Sequence, residues 1–263
     1  MTLIPKIIHF IWLGDKNYTE LVEKCIASWE KKLPDYKLMK WDDSNIDIKD
    51  CIYATEAYEE KKYAFVSDYV RLKVLYEYGG IYLDTDVEVL KKFDDLLNND
   101  AFAGFENNYA LETCIIGSKK GNLIIRDFLE YYKSKSFIRQ NGEMDLTPNT
   151  IPFTQICVNH GLKIDGNVQV LDNIKIYSKE YFSPYSRAEE KISITEKTYS
   201  IHYFSGSWIT EEKKKIIVKR KKVIEKYGKL AGYIFYGFHV ARQEGLSQFM
   251  TEMLHFFKLH GSD

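Results

Sequence analysis

Paired cysteines, long apolar runs, a surplus of either charge and glycine-rich phosphate loops are all missing from this chain of 263 residues. Its four cysteines, Cys25, Cys51, Cys114 and Cys157, stand far apart and form no C-x-x-C pair. That spacing argues against a zinc ribbon or a dithiol redox centre and suits reduced, buried thiols. No stretch approaches the roughly 20 apolar residues of a membrane-crossing helix. The apolar run from Ile7 to Leu13 is broken by His9 and lacks a following small-residue cleavage site, so it does not read as a signal peptide; a cytoplasmic protein is expected. A net charge of −1 argues against a general nucleic-acid binder. There is no G-x-G-x-x-G after the first apolar run and no G-x-x-x-x-G-K-[ST] anywhere, so neither a standard dinucleotide site nor a P-loop is expected.

What is present is an ordinary globular composition, 45% hydrophobic and 29% charged, long enough for one large domain with or without an appendage. Twenty tyrosines raise the aromatic share to 15%; such rings fill cores and also offer faces on which sugars and bases stack.

The stretch that organises the chain is Tyr78-Gly79-Gly80-Ile81-Tyr82-Leu83-Asp84-Thr85-Asp86-Val87. Read as one extended strand over 81 to 87, its period of two sets Asp84 and Asp86 on one side. Two carboxylates aimed at one point repel each other unless a hard cation sits beside them, and magnesium or manganese shared with a ligand's phosphate oxygens fits. The plain alternative is a solvated Asp-x-Asp turn. A dehalogenase-like phosphatase, which also carries Asp-x-Asp after a strand, wants Thr or Val where this chain has Glu88.

Around that stretch the pattern is α/β. Ile7 to Leu13 reads as a central parallel strand, with Trp12 at its carboxyl end, where open α/β sheets bind ligands; a core tryptophan is the plain reading. Residues 18 to 32 have helical periodicity closed by Pro34, and Tyr36 to Trp41 reads as the second strand, so a doubly wound sheet is expected. Residues 63 to 78 form a helix that is apolar nearly all round, and Asp68 and Arg71 share one of its faces. They suit an internal ion pair, or an acceptor and a donor for sugar hydroxyls and phosphate. Strands at 101 to 106 and 112 to 117, a helix from about 120 to 134, a polar surface loop over 136 to 149 and a helix over 151 to 159 follow. Tyr199 to Trp208 reads as a strand ending in a small-residue turn, and His202 there is either a structural histidine or a further ligand to the cation.

From residue 211 the chain changes character. Lys213 to Lys222 is a basic run, read first as a solvated helix face and second as a peripheral contact with anionic lipid. Residues 223 to 263 are aromatic-rich and helical in pattern, and they pack on the domain, on another subunit or on a membrane. The expected division is a domain over 1–210 and a helical extension over 211–263.

With Trp12, Ser67-Asp68-Tyr69-Val70-Arg71, the run from Tyr78 to Asp86 and the segment from His202 to Trp208 in this order, the chain resembles the bacterial DXD-motif glycosyltransferases of family 32. These are relatives of yeast initiation mannosyltransferases and of the glucosyltransferase domains of clostridial toxins. The resemblance covers about residues 4 to 208. It implies a GT-A fold, a Rossmann-like, mostly parallel sheet flanked by helices, and retaining transfer of a hexose or N-acetylhexosamine from a nucleotide diphosphate, UDP favoured. The acceptor would be a glycan, a lipid-linked glycan or a protein-linked group. By position it implies that Trp12 stacks on the base and that Asp68 and Arg71 hold the donor sugar. Asp84 would bind ribose or sugar and support manganese or magnesium, Asp86 would ligate the ion, and His202 would complete its shell. Ser207 and Trp208 would close over the diphosphate. The chain departs from the family on the acceptor side, where it has Thr147-Pro148-Asn149 in place of Gly-Pro and Thr113 in place of Asn. Two other functions use the same site, a metal-dependent nucleotide-sugar hydrolase with water as acceptor, and a binding protein without catalysis.

Overall fold

The computed structural model describes residues 3–14, 17–107, 109–186 and 191–206, with residues 215, 216, 219 and 223 besides. The chain divides into two compact units, Met1–Ser205 and Gly206–Asp263. Ser207 and Trp208, the basic run and the aromatic tail therefore lie, but for four residues, outside what is described.

In order, the first unit contains β1 (Ile7–Ile11), α1 (Glu20–Lys32), β2 (Lys37–Trp41), α2 (Ile52–Glu59), α3 (Tyr63–Tyr78), β3 (Gly80–Leu83) and β4 (Val87–Val89). A 3-10 turn at Asp94–Leu96 leads to β5 (Ala101–Gly104), β6 (Ile115–Ser118), α4 (Leu123–Lys133) and α5 (Thr150–Asn159). Then come β7 (Gln169–Leu171), β8 (Ile174–Tyr177), β9 (Tyr185–Ser186), β10 (Lys191–Ile192) and β11 (Ser200–His202). Seven strands form one sheet in the order β2-β1-β3-β6-β5-β8-β7, while β4 pairs with β11 and β9 with β10 in two small sheets. Strands β2, β1 and β3 are parallel, as are β5 and β8, while β6 runs antiparallel to β3 and β5, so the sheet is mixed.

Alternation along the strands builds two cores. Ile8, Phe10, Ile81, Leu83, Phe102 and Ile115 face one side with Cys25 and Trp29 of α1. Ile11, Tyr82, Ala103 and Ile116 face the other, with the apolar residues of α2 to α5. Helix α1 starts where the Thr19 hydroxyl accepts from the Val22 amide, with Glu20 and Glu23 in its first turn and Lys31 and Lys32 in its last, matching the helix dipole at both ends. Its Trp29 donates from Nε1 to the Val87 carbonyl at 2.7 Å, tying the start of β4 to the helix.

Helix α3 passes into β3 through Gly79 and Gly80, at φ 67° and 110°, a conformation that a side chain resists. The Gly79 carbonyl accepts from His9 Nε2 at 2.8 Å, and His9 Nδ1 accepts from the Trp41 indole at 3.1 Å. With both nitrogens engaged in this way, His9 is a neutral Nε2–H imidazole, and burial lowers its pKa accordingly.

Three expectations need correction. Residues 81 to 87 are not one strand: β3 ends at Leu83, and Asp84, Thr85 and Asp86 make a turn in which the Val87 amide donates to the Asp84 carbonyl at 3.1 Å. Helix α2 was not expected at all; it has no side-chain cap, and its buried face is only Tyr53, Ala54 and Ala57. The loop over 136 to 149 is not wholly at the surface, because Phe137, Asp145 and Asn149 are buried.

Candidate active site

The carboxyl edge of the parallel strands carries the site. β1 and β3 are in register with His9 opposite Tyr82, so the residues that follow each strand, Trp12 and Asp84, emerge on the same edge. Trp12 is half-buried, its ring edge-on to Tyr18 with centroids 5.0 Å apart.

The acid pair converges through the turn. One ligand atom each of Asp84, Asp86 and His202 lie within 4.8 Å of one another. His202 arrives on β11, whose antiparallel register with β4 sets it opposite Val87, next to Asp86. Its Nε2 is 3.4 Å from Asp86 Oδ1, and the Ser205 amide donates to Asp86 Oδ2 at 2.8 Å. Burial by itself would raise the Asp86 carboxyl, but pairing with His202 and the Ser205 hydrogen bonds outweigh it and hold the pKa at about 2. For His202 burial pulls downward, and the adjacent carboxylates, Asp86 first, carry the pKa above its ordinary value. Two carboxylates and an imidazole, oxygen-rich with one borderline nitrogen, are a donor set that suits manganese or magnesium.

Beside it lies a second network. The Arg71 guanidinium donates to Asp68 Oδ1 at 2.9 Å, to the Thr113 carbonyl at 2.8 Å and to the Ser67 carbonyl at 3.1 Å. It also stands 3.3 Å from Asp84 Oδ1 and stacks 4.5 Å above the Tyr82 ring. Tyr82 in turn donates its hydroxyl to Asp84 Oδ1 at 2.7 Å. Asp68 Oδ1 accepts a second bond from the Asn149 amide at 2.5 Å, and Asn149 Oδ1 accepts from the Thr113 hydroxyl at 2.7 Å. Burial pushes the Asp68 carboxyl up to about 7, with Arg71 working against that shift. Asp68, Arg71, Tyr82, Thr113 and Asn149 are buried while Ser67 and Asp84 are partly exposed, so the network can orient polar hydroxyls rigidly if a sugar reaches it.

The structure thus brings Asp68, Arg71, Asp84, Asp86 and His202 into one neighbourhood, while Ser207 and Trp208 lie outside the described residues. Three residues at this site had no expected role: Asn149 and Thr113, noted only as departures from a family pattern, and Glu112. The Glu112 carboxyl is 1% exposed and burial pushes it up to about 7. A charged residue inside the apolar run Ala110-Leu111-Glu112-Thr113-Cys114-Ile115-Ile116 was the available signal.

Residues 19–103 match the family model described as "Glycosyltransferase sugar-binding region containing DXD motif". The chain is 31% identical over 126 residues to inositol phosphoceramide mannosyltransferase 3 of Schizosaccharomyces pombe, a match covering 45% of this chain and 34% of that protein. It is 29% identical over 153 residues to lactosylceramide 4-alpha-galactosyltransferase of Rattus norvegicus, covering 53% of this chain and 40% of that one. The chain therefore spans well under half of either relative. Among solved structures it is similar to the PaToxG glycosyltransferase, at 26% identity and a TM-score of 0.50, over 60% of this chain and 70% of that one. Among the described residues no helix is long and apolar enough to cross a membrane. Residues 19–103, which include Asp84-Thr85-Asp86, are therefore similar to the DXD-containing sugar-binding region of glycosyltransferases, and they sit in a mixed, mostly parallel sheet of GT-A fold.

Proposed function

We propose that this protein is a divalent-metal-dependent, retaining glycosyltransferase that moves a hexose or N-acetylhexosamine from a nucleotide diphosphate, UDP favoured, to a glycan, lipid-linked or protein-linked acceptor. The observation that carries the reading is the convergence of Asp84, Asp86 and His202 within 4.8 Å, next to the buried Asp68 and Arg71 pair. Asp86 and His202 would hold manganese or magnesium with support from Asp84, and the ion would supply Lewis-acid neutralisation of the departing diphosphate.

The chain's own residues do the positioning. Arg71 is held at three points by the Ser67 carbonyl, the Thr113 carbonyl and Asp68, so its guanidinium cannot swing with the donor. Asp68 keeps a carboxylate oxygen, Oδ2, for sugar hydroxyls while Oδ1 is used by Arg71 and Asn149. A misplacement of about an ångström costs on the order of 10²-fold in such a reaction, which gives the buried network its purpose. Trp12, at the sheet edge, is assigned the nucleobase, and Ser207 and Trp208 the diphosphate. Names of two relatives, an inositol phosphoceramide mannosyltransferase and a lactosylceramide galactosyltransferase, support a lipid-linked acceptor. Such an acceptor fits a cytoplasmic protein that meets the membrane surface through 213–222; the tail over 223–263 is assigned to packing or self-association.

The test is incubation with radiolabelled nucleotide sugars and Mn²⁺, with and without candidate acceptors. Label transferred to an acceptor, lost in Asp86→Ala, is expected. Free labelled sugar released at one rate regardless of acceptor would mean a hydrolase, and donor binding without turnover would mean a binding protein.

A further inference from the structure

Two polar atoms at the site are buried without a partner: Oε1 of Glu112 and Nδ1 of His202. An atom of this kind costs stability for as long as it stays unpaired. They belong to residues whose ligand atoms, with that of Cys114, lie within 4.8 Å of one another.

The Glu112 carboxyl has little freedom. Its Oε2 accepts from the Ser183 hydroxyl and from Cys114 Sγ, the latter at 3.1 Å. A Cβ on Gly104 would come within 2.6 Å of Oε1, so that glycine leaves the space the oxygen uses. The Glu112 backbone is pinned to the Gly104 carbonyl at 2.9 Å, and the Cys114 carbonyl accepts from the Asp84 amide at 2.8 Å. The segment that holds Glu112 is thus hydrogen-bonded to Asp84 of the acid pair. His202, meanwhile, presents Nε2 to Asp86 at 3.4 Å and lies against Phe204 with ring centroids 4.0 Å apart and the ring planes tilted by 36°. The ring edge bearing Nδ1 is the one still to be satisfied.

We propose that Glu112 is a positioning residue for His202: its carboxylate accepts a hydrogen bond from Nδ1–H, fixing the imidazole so that the Nε2 lone pair points to the space shared with Asp84 and Asp86. One proton satisfies both orphaned atoms. A carboxylate behind a metal-binding histidine fixes its tautomer and ring angle and raises its basicity, and loss of such a partner typically costs about 10–100-fold in metal affinity. The inference rests on the metal-dependent reading above, and it assigns Glu112 no contact with donor or acceptor.

The experiment uses the full chain and Mn²⁺ alone, with free ion measured by electron paramagnetic resonance. Glu112→Ala should bind Mn²⁺ about 10–100-fold more weakly than wild type, and Glu112→Gln, which retains an acceptor oxygen, should recover most of the loss. Independently of any variant, nitrogen-15 spectra of the Mg²⁺-loaded wild type should show His202 protonated at Nδ1 and bare at Nε2. Unchanged Mn²⁺ affinity in a folded Glu112→Ala, or a proton on Nε2 in the loaded wild type, overturns the proposal and leaves the transferase reading standing. A wild type that takes up no Mn²⁺ overturns the metal reading itself, and this inference with it.

Discussion

His202 Nε2 faces Asp86 Oδ1 at 3.4 Å although the two residues are far apart in the sequence. The strand pair β4 and β11 makes the meeting: His202 registers against Val87, and the Tyr203 amide donates to the Asp86 carbonyl at 3.1 Å.

That pairing sets a pH window for the metal-free protein. The Asp86 half, with its pKa held at about 2, stabilises fully above the ordinary carboxylate value of about 4 and is lost as pH falls through 2. The His202 half, with its pKa raised, stabilises fully below about 6.5 and is lost as pH rises through the raised value. In EDTA, the difference in Tm between wild type and His202→Ala should therefore be largest near pH 5 and shrink toward pH 8. A difference that widens over that interval would contradict the pairing.

The same nitrogen must shed its proton before it can donate to an ion. Mn²⁺ affinity, followed by titration calorimetry, should climb between pH 6 and pH 8 in wild type. In His202→Ala the affinity is lower throughout and the climb disappears.

Arg71 separates stability from positioning. Arg71→Ala leaves Asp68 buried without its ion-pair partner and should cost about 3–5 kcal/mol in urea unfolding. Asp68→Asn keeps an oxygen for Arg71, so it should unfold near the wild-type midpoint while turnover falls on the order of 10²-fold. Equal losses of stability in the two variants would reduce the pair to a structural bridge.

Gly80 is the hinge between α3 and the strand before the acid pair. At φ 110°, with the Ile7 carbonyl 2.8 Å and His9 Nε2 3.0 Å from where a Cβ would stand, Gly80→Ala should destabilise by about 1–3 kcal/mol, read as a lowered midpoint in urea.

Much of the frame was legible in the chain. Helix α3 could be bounded at 63 and 78 because apolar residues surround it and Gly79 ends it, and Asp68 and Arg71 stood out as charges on that buried surface. The turn at Asp84 to Asp86 was not legible, because Ile81, Leu83, Val87 and Val89 keep the alternation of a single strand across it, all four within one core. Helix α2 offered no cap and a narrow apolar stripe. Asn149 and Glu112 owe their importance to partners distant in sequence, Asp68 for one and Ser183 for the other, and no local pattern records such a meeting.

The small sheet of β4 and β11 has a further consequence. Since β11 brings His202 while β4 leads directly from Asp86, an ion bridging the two residues also clasps the strands together, and fraying of β11 dissolves the ligand set. Occupancy and strand attachment are then one equilibrium, so the solvent-exchange rate of the amides at 200–202 should slow in step with added Mn²⁺ and serve as a gauge of loading that needs no substrate.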